Sequence, residues 1–251
     1  MSRKLTGCRN CMVALGKESD GKITYEEPQA IKDLEEFSYN YTYAEGSNFA
    51  DNQQNIYLKK PTGADIKLVF SDLKLKMEAL LGGKIYYKGG LVTNTNDKAK
   101  AVALIFQETY SDGSYINKVF YNTKLSRDET SGKTEGEGFE FTPANIVGRA
   151  IPLENGDIEY RLDSSDPEVD KSKLDAWFTE VQFMDKTMDI PYKGYSSGEV
   201  TEISLLGITF DKSSKTFKGV PINTLKFTFK LDSAVQTATK SGSDWTFQAQ
   251  G

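Results

Sequence analysis

The sequence predicts an all-β fold, and three observations carry that prediction. Short apolar runs alternate with polar turns through most of the chain. Aromatic residues make up 12% of it, with 13 Tyr and 14 Phe, and such side chains suit a pleated, half-buried surface. Turn pairs such as Asp112-Gly113 and Asn155-Gly156 sit between the runs, where glycine accepts φ > 0 without steric cost. A length of 251 residues fits one β domain, or one domain with a small appendage.

The clearest stretch is 99–162. Val102-Ala103-Leu104-Ile105-Phe106, then 115–121, then Phe139-Glu140-Phe141 with Ile146-Val147, then Ile158 to Leu162 read as four antiparallel strands in sequence order, a meander at the middle of the sheet. Val102 to Phe106 is apolar at every position, so both faces of that strand are expected to be covered.

Upstream, 11–15 reads as a short strand and Ile23-Thr24-Tyr25 as another. Residues 34–43 alternate with period two, placing Phe37, Tyr39, Tyr41 and Tyr43 on one face and Glu36, Ser38, Asn40 and Thr42 on the other. The polar stretch 44–60 reads as a long loop or extended hairpin that ends in a strand near Ile56-Tyr57-Leu58. Another strand covers 65–70. A helix follows, with Ser71 or Asp72 as its cap, an apolar stripe of Leu73, Met77, Leu80 and Leu81, and Gly82-Gly83 as its stop. Ile85-Tyr86-Tyr87 and Leu91-Val92 form a hairpin across Gly89-Gly90. A second short helix is expected near 172–178, with Asp166, Pro167 and Asp170 favouring its N-terminal side.

After Phe183 the chain turns irregular, then offers strands at 203–210, 217–220, 225–231 and 245–247. The division is therefore expected at 1–183 and 184–251. Residues 185–251 hold eight Lys against seven carboxylates, so the net charge of −5 resides in the first part.

Composition removes several function classes. There is no His, which excludes Ser-His-Asp and Cys-His nucleophile systems and most zinc sites. No catalytic constellation replaces them, and an enzyme is not expected. The acidic balance opposes a nucleic-acid-binding surface. Cys8 and Cys11 form one C-x-x-C without a second pair, which reads as two free thiols in a reducing compartment. Leu5-Thr6-Gly7-Cys8 resembles a lipoprotein box but has no apolar segment before it, and no run suits a membrane span. Gly16-x4-Gly21-Lys22 lacks the hydroxyl residue of a phosphate loop, with Ile23 in its place. Gly132-Lys133-Thr134 lacks the leading glycine. Asp163, Asp166 and Asp170 read as caps and turns instead of calcium ligands. No metal or other cofactor is expected. The aromatic stripe at Phe37, Tyr39, Tyr41 and Tyr43 has two readings, a face packed on its own core or a sugar-stacking platform of a carbohydrate-binding module.

A further series of segments carries a resemblance. Asn48-Phe49-Ala50-Asp51-Asn52, Asp72-Leu73, Leu80-Leu81-Gly82, Gly90-Leu91-Val92, Val119-Phe120-Tyr121-Asn122, Gly148-Arg149-Ala150 and Ala176-Trp177-Phe178-Thr179 occur in that order. Over about 1–183 the chain resembles the major tail proteins, or tail tube proteins, of long-tailed phages of Gram-positive bacteria. The resemblance implies a β-barrel or sandwich with a flanking helix and a short second helix; 184–251 is a small β appendage. It also implies six-fold rings that stack into a tube, with no cofactor and no membrane. The partners are then further copies of the chain, the tape measure protein, tail assembly chaperones, and the tail terminator and distal tail proteins. Genomic DNA crosses the lumen without specific binding, and the location is the virion tail, assembled in the host cytoplasm. Under this reading Asn48, Phe49, Asp51, Asn52, Gln53 and Asn55 serve self-assembly. The acidic loop with Asp128, Glu129, Glu135 and Glu137 lies at a ring edge or in the lumen.

Overall fold

The computed structural model describes residues 2–19, 22–50, 53–127, 130, 142–193 and 198–249; at 48–50, 53–56 and 249 it describes the backbone alone. The fold is all-β with two short helices, and the chain divides into two compact units, Met1–Phe183 and Met184–Gly251.

The first unit contains β1 (Leu5–Ser19), β2 (Lys22–Tyr25), β3 (Gln29–Ala30), β4 (Leu34–Ala50), β5 (Gln53–Phe70), α1 (Leu75–Gly82), β6 (Ile85–Tyr87), β7 (Gly90–Val92), β8 (Ala101–Tyr110), β9 (Tyr115–Ser126), β10 (Ala144–Ala150), β11 (Glu159–Asp163) and α2 (Lys171–Ala176). Nine strands form one sheet with the path β2-β1-β8-β9-β10-β5-β4; β3 adds to β1 and β11 to β9. All ladders are antiparallel.

Ala30 in β3 and Leu34 in β4 lie on the two sides of this path but only four residues apart, a reach of at most about 14 Å. Laid flat, six interstrand steps would separate β3 from β4 by about 29 Å. The sheet therefore curls. Ring contacts confirm the direction: Phe37 of β4 meets Phe106 of β8 at 4.9 Å and Tyr39 meets Phe120 of β9 at 5.2 Å, although these strands are not neighbours. The face they share is concave. No ladder joins β4 to β1 or β3 among the described residues, so of the expected barrel or sandwich the sheet forms an open curl.

Two apolar clusters cover the two faces of β8 and β9. Val102, Leu104, Phe106 and Phe120 join the concave core with Ile66, Leu68 and Phe70. Ala103, Ile105, Val119 and Tyr121 join a convex cluster closed by Trp177 and Phe178. Tyr121 stacks on Phe183 at 4.9 Å and donates its hydroxyl to the Gln182 carbonyl at 2.7 Å. The all-apolar run at 102–106 is thus covered on both sides.

The meander is corrected at its last strand. β10 pairs with residues 123–126 of β9, and β11 then pairs with 116–120 of the same β9, not with β10. One long strand offers two successive short edges, because β10 ends at Ala150 before reaching the first half of β9. The expected Phe139-Phe141 strand lies outside the described residues.

The helix cap is also corrected. β5 runs to Phe70, and Ser71 donates its N–H and its hydroxyl to the Asp33 carbonyl. Residues 71–74 carry Leu73 into the core, and α1 begins after Lys74 without a side-chain cap. Gly83 ends α1 as expected, at φ 67, and donates its N–H to Ala79. Asp170 caps α2 by accepting from Ser172 N and Lys173 N.

The second unit holds β12 (Thr187–Pro191), β13 (Val200–Thr201), β14 (Thr209–Asp211), β15 (Thr216–Pro221), β16 (Lys226–Leu231), β17 (Ala234–Ser241) and β18 (Asp244–Ala249), in sheets β12-β15-β14 and β13-β16-β17-β18. Both sheets feed one cluster around Phe217, whose ring meets Phe210, Phe227 and Phe229 within 5.2 Å. Phe227, Phe229 and Leu231 are buried, as the alternation predicts. The strand expected over 203–210 is confined to 209–211, and turns occupy the rest.

A buried ion pair interrupts the apolar order of the concave face. Lys118 is 0% exposed and donates to Glu108 at 2.6 Å and to the Tyr39 hydroxyl, with its ammonium 4.1 Å from the Tyr39 ring centre. Removing one partner strands a buried charge, whereas replacing both with apolar groups removes the desolvation cost as well. Lys118→Met is therefore expected to lower stability by about 3–5 kcal/mol. The double variant Lys118→Met, Glu108→Leu should recover most of that loss in urea denaturation. Equal losses in both variants would contradict the ion-pair account.

Candidate functional site

The β4–β5 hairpin contains 17 and 18 residues, with cross-strand partners from Leu34 and Phe70 to Ala50 and Gln53. Its first half belongs to the core: Phe37, Tyr39 and Tyr41 pack against the concave cluster. Tyr41 also accepts from Arg161 of β11, and burial pushes its hydroxyl pKa upward. Three of the four stripe residues are thus partly buried against the core, and only Tyr43 is exposed.

Register shifts between Thr42 and Tyr43, and the hairpin then leaves the core. Gly63 marks this point, because a Cβ there would lie 2.6 Å from the Ala150 carbonyl oxygen. Thr42 bonds Thr62 at 3.1 Å and accepts from Arg149 at 2.8 Å, holding the base of the arm. Outward, every described side chain at 43–47 and 57–61 is exposed on both faces. Tyr57 is 54% and Leu58 68% exposed. Lys59 pairs with Glu45 at 3.1 Å and lies 4.2 Å from the Tyr43 ring centre. That pairing lowers the Glu45 pKa and raises that of Lys59. From Tyr43 to Ala50 the ribbon extends about 23 Å.

Such a two-stranded ribbon is marginal by itself. In addition, β4 is the last strand of the path, so its outer edge has no strand beside it among the described residues. A long unpaired edge presents free backbone donors and acceptors to a further strand. The arrangement can bind chain to chain.

Asn48, Phe49 and Gln53 pair in the backbone ladder at the arm's outer end and Asn55 falls at its register shift; their side chains are not described. Asp51 and Asn52 lie outside the described residues, as do Asp128, Glu129, Glu135 and Glu137. The sequence places Tyr57 and Leu58 in a strand without marking them as exposed; in the structure both stand free of the core on the arm.

The remaining motifs resolve locally. Cys8 and Cys11 are free; a bulge at Asn10, φ 55, sets two residues against Phe106 and turns both cysteines to the concave face. Burial raises both thiol pKa values, that of Cys11 to about 12. Gly16 and Lys22 belong to the β1–β2 hairpin, which has no helix after it. Among the described residues no cluster of three metal-binding side chains occurs, and no helix is long and apolar enough to cross a membrane. No protein-family model matches the chain, and no curated protein matches it.

Asp163 has a separate role. It accepts from Arg3 at 2.6 and 2.9 Å, beside Ser165, and so ties the first residues to the end of β11. Arg3 holds the Asp163 carboxyl well below the usual range, with further help from Ser165. A depressed pKa contributes stability above the unfolded-state value near 4, lost as pH falls through the folded-state value. Thermal unfolding below pH 4 is expected to show a steeper loss for the wild type than for Asp163→Asn, which lacks this contribution throughout. Parallel curves would contradict it.

Proposed function

We propose that this chain is a structural protein that assembles with further copies of itself into stacked, six-fold rings, the tail tube of a long-tailed phage. The observation that carries the reading is the arm: an exposed β ribbon, continuous with a long unpaired sheet edge, with no core beneath it. Ordering such a ribbon in isolation gains little, whereas pairing with a second chain satisfies its backbone and buries Tyr57 and Leu58. A ring also needs heterologous contacts, which an edge strand on each copy supplies.

The charge distribution supports the same reading. Residues 1–184 carry −6, and an acidic wall lets DNA pass without gripping it. On this reading the lumen holds the tape measure protein first and the genome later. Tail chaperones, terminator and distal tail proteins bind at the stages and ends of assembly. The chain acts through assembly and not through catalysis, and its place is the virion tail.

Negative-stain electron microscopy tests this. The purified protein is expected to form hollow tubes at high concentration. Deleting 48–55 should leave a folded protein that forms none. Absence of rings and tubes in every salt condition would overturn the reading; normal tubes from the deletion variant would overturn the role of the arm.

A further inference from the structure

The two ends of the β8–β9 hairpin differ in kind. At one end lie α1 and the β6–β7 hairpin, tied there by Lys100 N–H to the Leu81 carbonyl and by Arg127 to Glu78. Residues 72–100 hold six Lys against three carboxylates, a local +3 in a chain of −5. Lys84 is paired with Glu78 at 2.8 Å. Lys74, Lys76, Lys88, Lys98 and Lys100 are exposed and make no ion pair among the described residues. Apolar side chains stand among them: Ile85 is 61%, Tyr87 70% and Val92 55% exposed, with Leu75 and Tyr86 also open. Lys88 lies over the Tyr87 ring at 5.3 Å. The turn between β6 and β7 has positive φ at both Lys88 and Gly89, so the hairpin is a defined one.

At the other end, about 36 Å away along β9, lies the turn after β11. Ser164 N–H donates to the Tyr115 carbonyl at 2.9 Å, and Tyr115 N–H donates to the Ser164 hydroxyl. Residues 163–170 carry four carboxylates and no cation. Asp163 is taken by Arg3, whereas Asp166, Glu168 and Asp170 are exposed. Asp166 and Asp170 accept only local backbone and serine donors among the contacts described. The carboxylates are thus held in a fixed turn, facing away from the core.

We infer that the basic, tyrosine-bearing β6–β7 hairpin with α1 docks on the acidic 163–170 turn of a second copy of this chain. Charge complementarity selects the occupant. Outside 72–100 the chain is net −8, which repels a nucleic acid but supplies an acidic protein surface. Because donor and acceptor surfaces lie at opposite ends of one hairpin, the contact runs head to tail and can repeat from copy to copy. Tyr87 and Ile85 provide an apolar centre and the lysines a charged rim, the division found in specific interfaces. The inference rests on the assembly reading above and assigns it a second surface, distinct from the arm.

A charge-swap experiment tests it. One variant carries Lys76→Glu and Lys88→Glu; the other carries Asp166→Lys and Glu168→Lys. All four positions are exposed, and unchanged circular dichroism and Tm establish that each variant folds. Sedimentation velocity at low salt is expected to show that each variant alone needs at least about tenfold more protein to associate than the wild type. An equimolar mixture should regain wild-type association, because complementary poles then alternate, and added salt should weaken it. Variants that associate like the wild type overturn this contact while leaving the assembly reading intact. Loss without rescue in the mixture also overturns it. A wild type that never associates overturns both.

Discussion

The four-residue step from Ala30 to Leu34 constrains the whole first unit. It joins two sides of one sheet that would lie about 29 Å apart if flat, so the sheet has to curl. The curl brings Phe37 and Tyr39 over Phe106 and Phe120 and encloses the concave core. It also sets a limit. The sheet approaches closure without a ladder between β4 and β1, and β4 remains an edge. The exposed arm is a consequence of that open edge and not an addition to it.

Burial on both faces makes β8 and β9 the rigid axis of the unit. Leu104 and Phe120 face one core, Ile105 and Val119 the other, and all four are fully buried. Such close packing transmits position well, since interiors have few voids in which side chains can shift. The α1 end and the 163–170 turn are tied to the ends of this axis through Lys100, Arg127 and Tyr115, and the arm is held at its base by Arg149 of the neighbouring β10. An assembly built from them would inherit a fixed spacing.

Much of this was legible in the sequence, and the reasons for the exceptions are physical. The period-two stripe at 34–43 identified β4 because a buried face selects aromatic residues at alternate positions. The signal stops at Tyr43, where burial stops, although the ladder continues to Ala50; a ribbon held by backbone pairing leaves no hydrophobic period to read. The Lys118–Glu108 pair was legible in principle, since both residues share parity with Phe106 and Phe120, but charges inside apolar runs do not announce their partners. Ser71 is a good cap by residue type, yet the Asp33 carbonyl claims it, and such long-range competition lies beyond local propensity. β17 carries little sequence signal, because Thr, Ala and Gln alternate weakly, although Ala238 is fully buried.

The account depends on one claim, that the edge and arm of β4 are open in the single chain and filled by another chain on assembly. Amide hydrogen exchange, read at 43–47 and 57–60 in dilute and in concentrated protein, measures this directly. The account expects rapid exchange at these positions in dilute protein and strong protection once the protein associates, with 102–106 protected in both. Equal exchange of the arm in both conditions, while the protein does associate, would contradict it.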